Sequence, residues 1–323
     1  MTRYTVLLFL TFAATLCLSA QNESFTLGEE FYYAGDYQKA KPHFEAFLKS
    51  NPNHLKTKEY LGDIAAVNSD WDTSLSYYKT LLDAHPNNAN YNFKYGGVLG
   101  RKAQSVSRFR AALYINEIKS HLIKAAQLDP LHIEARWALI DLYIALPSLL
   151  GGSESTALTY ADELMKLSEV DGYLTLGYIA EHFNRPRDAE KHYKKAMQIG
   201  QSPLTYEKLA DLYENKTGEP DKAMEIREAS AQKHKRNSIN YQIGKISAMY
   251  NIELQKGLNY LKTFIQGHSV RDGVPLEWAY YRIAQIYRHL GDKKNALNWS
   301  QKALSIKSDF EEAMEEHKRI QKM

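Results

Sequence analysis

Residues 27–52 read LGEEFYYAGDYQKAKPHFEAFLKSNP, and their spacing decides the fold. Leu27-Gly28 is followed by Phe31, then by Ala40, Phe44 and Phe47, and Pro52 closes the run. The same offsets return 34 residues later as Leu61-Gly62, Ala65, Ser74, Tyr78, Leu81 and Pro86. They return again as Leu176-Gly177, Ala180, Ala189, Tyr193 and Ala196. Apolar residues three and four apart share one face of a helix. Pro cannot continue a helix and biases the residue before it away from the α region, so Asn51-Pro52 ends the second helix of its pair. A block of this kind cannot hide its apolar face alone, and a fixed period of this length marks stacked helical repeats.

Extending the register outward gives eight units, starting near residues 21, 55, 89, 133, 170, 203, 237 and 277. The first, second and fifth follow the pattern closely, as does the last through Ile283, Ala284, Tyr287, Ala296 and Ala303. The sixth and seventh each carry a short insertion between their helices. The third and fourth are irregular: Gly96 and Pro130 are 34 residues apart, where Gly62 and Pro86 are 24 apart. The charged stretch DFEEAMEEHKRIQKM, with sparse apolar positions, suits a helix that shields the open end of the last repeat. The expected divisions are a leader at 1–20, two regular repeats at 21–88, two irregular ones at 89–169, four at 170–308 and a capping helix at 309–323.

Composition agrees with an all-α reading. Gly (17) and Pro (9) are scarce in 323 residues, which disfavours a turn-rich β fold. Charged residues at 24% and apolar ones at 44% are ordinary for a folded domain. A net charge of +3 is too balanced to point to nucleic acid. At the amino end, Arg3 precedes the uncharged apolar run Val6–Leu18, then Ser19 and Ala20, and the chain turns polar at Gln21. This reads as a secretory leader cut near Ala20, which places the protein in the periplasm or cell envelope. The single cysteine, Cys17, leaves with it, which removes disulfides and thiolate chemistry from consideration. No later stretch is long and apolar enough to span a bilayer; Leu139–Leu150 is broken by Asp141 and Pro147.

The repeated residues resemble the tetratricopeptide repeat family, and the sequence LSAQN at the leader resembles exported proteins of Bacteroidetes-type bacteria. The family resemblance implies a right-handed superhelix whose inner face is lined by the first helix of each repeat, chiefly at repeat positions 2, 5, 9 and 12. Those places and their neighbours give an aromatic-rich set: Phe25, Tyr32, Tyr60, Phe93, Trp137, Tyr178, Tyr241, Trp278 and Tyr281. Lys245, Arg282 and Arg288 make the last two repeats basic, while Glu29, Glu59 and Asp63 outnumber Lys56 in the first two. Tyr and Trp offer large contact area with a polar edge, so the set suggests a protein or peptide ligand. The same spacing also suits packing between repeats.

Between repeats three and four, GRKAQSVSRFR and LPSLLGGSES are expected to form adjoining loops. Their basic residues Arg101, Lys102, Arg108 and Arg110, with Gly151 and Gly152 exposing backbone N–H groups, would make an anion site or a structural plug. Leu149 and Leu150 are expected to bury against Phe109 and Leu113. Catalytic patterns are weak. GGVLGRKA imitates a phosphate loop but lacks its spacing and preceding strand; no H-E-x-x-H occurs, and GGSES lacks a nucleophile-elbow context. The sequence therefore calls for no cofactor and no metal. It points to a non-enzymatic scaffold, with a small-ligand or anion sensor at the third and fourth repeats, or a structural component of the envelope, as the other readings.

Overall fold

The computed structural model describes residues 23–323; the expected leader at 1–20 and its expected cleavage site lie outside them. Among the described residues the chain is all-α, as expected, in seventeen α-helices without a strand. In chain order the two-helix repeats are α1 (23–33) and α2 (Tyr37–Ser50), α3 (Leu55–Val67) and α4 (Trp71–Ala84), α5 (Ala89–Gln104) and α6 (Arg108–Leu128), and α7 (Ile133–Ala145) and α8 (Glu154–Leu167). Four more follow: α9 (Glu169–His182) with α10 (Pro186–Gly200), α11 (Pro203–Leu212) with α12 (Pro220–His234), α13 (Asn237–Tyr250) with α14 (Leu254–Gln266), and α15 (Leu276–His289) with α16 (Lys293–Ile306). A last helix, α17 (Glu311–Gln321), follows the eighth pair. The hairpins fall into two compact units, one ending at Tyr160 and one spanning Ala161–Met323.

The local signals that shape each hairpin are visible in the structure. Asp36, Asp70, Asn88 and Asp292 cap their helices by accepting a hydrogen bond from the backbone N–H three residues on. The small residues let paired helices touch. A Cβ on Gly177 would strike the ring of Tyr193, and Ala40 and Ala189 are wholly buried. Around these contacts the large apolar residues close the seams: Phe44, Tyr78 and Leu81 in the first unit, Tyr193 and Phe264 in the second. Each such side chain contributes about 1.5–3 kcal/mol on leaving water. The carboxyl-terminal helix caps the second unit, burying Phe310 and Ala313 against Tyr281 and Ala303, and Ile320 against Ala284 and Ala296.

The third hairpin corrects the sequence reading. Its extra ten residues do not form a loop. α5 and α6 have 16 and 21 residues against 13 and 14 in α3 and α4, so helix absorbs the whole insertion and only residues 105–107 join the pair. Leu99, Ile115, Ile118 and Leu122 keep a helical period through the insertion and are buried, and no Pro interrupts it. Arg101 and Lys102 therefore occupy the last turn of α5, and Arg108 and Arg110 the first turn of α6.

Candidate functional site

The first-helix faces of the repeats hold three distinct arrangements. On hairpins one to three, the side chains satisfy one another. Tyr60 donates to Glu29 Oε1 at 2.7 Å, Tyr32 donates to Asp63 Oδ2 at 2.9 Å, and Tyr78 donates to the other Asp63 oxygen. Lys94 bridges Glu59 at 2.7 Å and Asp63 at 2.8 Å, while Asn90 and Lys56 also reach Glu59. Burial alone would raise the Glu59 pKa, but hydrogen bonding and attraction from Lys94, with Lys56 added, hold it below the usual carboxylate range. Burial first, and Asp63 second, push the Tyr32 and Tyr78 hydroxyls well above the normal phenol value, so both remain donors. Each carboxylate of the acidic excess read from the sequence is thus engaged by a side chain of the next hairpin, Glu29 by Tyr60 and Glu59 and Asp63 by Lys94.

In the second unit, α11 and α13 border an open polar cleft of about 490 Å³. α11 runs on into a π-helical turn, Tyr213–Thr217, which absorbs the insertion of the sixth repeat. Glu214 in that turn is buried and takes Arg227 Nη2 at 3.1 Å and Lys245 Nζ at 2.8 Å; Arg227 also donates to Asp211 at 2.6 Å. The buried Arg227 Nε finds no acceptor among the described residues. Tyr206, Glu207, Arg236 and Gln242 complete the wall, and neither Glu207 nor Arg236 takes part in an ion pair among the described residues.

The third arrangement is a slot of about 770 Å³ between α5, α6 and α7 of the first unit. Gly97 and Gly100 lie at its α5 wall, with Ala111, Ile115, Leu142 and Leu146 opposite. It is lined mostly by carbon, and Arg101 and Arg108 sit exposed at its edge.

Several expected groove residues are placed elsewhere. Tyr60, Tyr241 and Tyr281 are buried: Tyr60 stacks on Phe44 at 4.8 Å, Tyr241 packs on Phe264 at 5.4 Å and Tyr281 on Phe310 at 5.5 Å. Their rings turn into the seams because burial of an aromatic face outweighs exposure of its edge. Tyr32, Trp137 and Tyr178 are half-buried and partnered. Trp278 packs on Phe310 at 4.6 Å, with Arg282 over both its ring and that of Tyr281. Arg288 is paired with Glu316, and Lys245 with Glu214. Phe93 alone of the aromatics lines the slot, against the His132 ring at 4.8 Å.

The expected basic lobe is also revised. Lys102 pairs with Asp72, whereas Arg101, Arg108 and Arg110 are exposed and carry no ion pair among the described residues. The N–H groups of Leu150, Gly151 and Gly152 donate to Pro147 and Ser148 carbonyls within their own turn, so they offer nothing to an anion. Instead Lys119 donates to the Gly151 carbonyl at 3.1 Å. Phe109, Leu113 and Leu149 are 91, 80 and 96% exposed and do not bury one another. Sequence reasoning missed Gly97 and Gly100 as lining residues, although both fall at inner-face positions of the third repeat. It also missed Arg227, which reaches the cleft from the second helix α12, and Tyr206, Arg236 and Gln242, which line it from α11 and the start and middle of α13.

A tetratricopeptide repeat family model matches residues 25–89, and a second matches 279–315. Among solved structures, a tetratricopeptide repeat protein from Parabacteroides merdae ATCC 43184 is similar at 16% identity with a TM-score of 0.50, over 94% of this chain and 99% of that one. YrrB, described as a TPR protein with an unusual peptide-binding site, shares 18% identity over 61% of this chain and 97% of its own, with a TM-score of 0.43. A thermophilic TPR protein from Thermus thermophilus shares 17% over 76% and 99%, with a TM-score of 0.41. No curated protein matches the chain.

Proposed function

The chain is a tetratricopeptide repeat protein, and we propose that it is an exported, non-enzymatic scaffold that holds an extended segment of another protein. Among the described residues no helix is long and apolar enough to cross a membrane. The leader at residues 1–20 is the support for placement in the periplasm or cell envelope.

The observation that carries the reading is the cleft in the second unit. Its fixed Arg227–Asp211–Glu214–Lys245 network forms a rigid polar wall, and Glu207 and Arg236 remain free beside it. A peptide main chain needs hydrogen-bond partners along its length, and a wall of fixed donors and acceptors supplies them without reorganisation. Free charges of both signs favour a partner segment that itself alternates in charge.

A photo-crosslinking residue at Gln242, which lines the cleft, should capture a partner that the same group at the exposed Lys262 on α14 does not. Arg236→Glu should lower that capture at least fivefold. Equal capture from Gln242 and Lys262, unaffected by Arg236→Glu, would refute the cleft as the binding face.

A further inference from the structure

The slot of the first unit poses a question that packing does not answer. Gly97 and Gly100 stand in the interior of α5, where glycine is less favourable than alanine. Glycines elsewhere in the repeats have a reason: a Cβ on Gly28 would strike Phe44 at 2.7 Å, and one on Gly96 would crowd Leu122 at 3.2 Å. A Cβ on Gly97 or Gly100 would meet nothing within 4 Å. These two positions tolerate a side chain sterically and leave open space over the helix instead.

The chemistry of that space is specific. Its interior walls are Ala103, Ala111, Ala112, Ile115, Leu142 and Leu146. Polar side chains are confined to exposed residues at the edge: Arg101, Gln104, Arg108 and Asp141. Asp141 is itself partnered, whereas the two arginines carry no ion pair among the described residues. α6 starts at Arg108 without a side-chain cap, so its first N–H groups add positive potential at the same edge. A peptide main chain laid inside would leave its amides without partners against aliphatic walls, which is costly. A hydrocarbon chain has no such need, and the volume falls within the range of small-ligand sites.

We infer that the slot between α5, α6 and α7 binds a free amphiphile, a single aliphatic chain with an anionic head group, with the chain over Gly97 and Gly100 and the head at Arg101 and Arg108. The exposed Phe109, Leu113 and Leu149, chain neighbours of the lining residues, give the incoming hydrocarbon an apolar first contact. This site is independent of the peptide-binding cleft in the second unit, and either can fail without the other.

The test uses the full chain and 11-(dansylamino)undecanoate, whose emission rises in an apolar site, with dodecanoate as competitor. One probe should bind saturably per chain and be displaced by dodecanoate. Gly97→Leu combined with Gly100→Leu should weaken binding at least tenfold while the melting temperature holds, which separates a filled slot from a misfolded chain. Arg101→Gln combined with Arg108→Gln should weaken dodecanoate about tenfold and leave 1-dodecanol within twofold. Vesicles of phosphatidylglycerol should not sediment the protein. The inference is overturned by non-saturable binding, by unchanged affinity in the leucine variant, by binding to vesicles alone, or by an apolar–acidic peptide (acetyl-Leu-Leu-Phe-Glu-Glu-amide) that displaces the probe more tightly than dodecanoate.

Discussion

Glycine does opposite work in two regions of this molecule. In the fifth hairpin, Gly177 is the point where α9 meets α10, and the Tyr193 ring occupies the space a side chain would need. In the third hairpin, Gly97 and Gly100 face an open slot, where a Cβ on either would meet nothing within 4 Å. The residue type is the same and so is the helical backbone. One region uses the missing Cβ to bring two helices together; the other keeps a helix surface bare. The comparison teaches that a small residue in a repeat is evidence of packing only when its neighbour is shown to fill the vacated space.

The sharpest way to break the comparison is at the packed end. Gly177→Val places branched carbons against a wholly buried tyrosine, and overpacking there should cost about 3 kcal/mol. The measurement is denaturant unfolding, read as a drop in midpoint at constant slope. A variant as stable as the parent would mean that Tyr193 yields freely and that the glycine of the Leu-Gly pair is not a packing constraint.

A second, smaller effect is expected at the polar face of the first unit. Lys94 bridges Glu59 and Asp63 at once, and the Glu59 side chain is only 9% exposed. Removing the cation as Lys94→Met should cost about 2 kcal/mol, between the value of a surface pair and that of a fully buried one. The pH dependence identifies the cause. Glu59 titrates below its ordinary value of 4.5 when folded, so its contribution is complete above pH 4.5 and disappears as pH falls through the lower folded value. The gap between parent and Lys94→Met should therefore be full at pH 7 and shrink below pH 4.5. A gap that stays constant across that window would assign the loss to packing of the lysine stem instead.

Much of the fold was legible because the repeat writes its packing into residue size. Leu-Gly in the middle of a first helix, Ala or Ser in the facing second helix and an aromatic four residues later fix both register and hairpin pairing. The fate of an insertion is less legible. Ten added residues enter equally well as a loop or as longer helices, and the choice fell to helix because Leu99, Ile115 and Ile118 continue the buried stripe. The inner face was read only in part. Tyr60, Tyr241 and Tyr281 sit on first helices as expected, but a small rotation about the helix separates seam from groove, and residue spacing does not resolve it. Glu214 illustrates the same limit: its burial depends on the π-helical turn of the sixth hairpin, which no local signal in YENKT announces.

The smallest effect is the most diagnostic, because its sign runs against habit. Replacing Gly100 by Ala adds a methyl group to a helix interior where nothing stands within 4 Å. The folded chain loses no contact, and the unfolded chain loses the extra freedom of glycine, so stability should rise by about 0.5–1 kcal/mol. Gly97→Ala should add a comparable amount, with the two gains summing if the sites do not interact through the slot. A fold that leaves two such gains unrealised side by side, on the one wall of a slot edged by unpaired arginines, is retaining space in place of stability. The reading turns on that sign in paired melts: a loss from Gly100→Ala would show that the slot closes on α5 in solution, and the contrast with Gly177 would vanish.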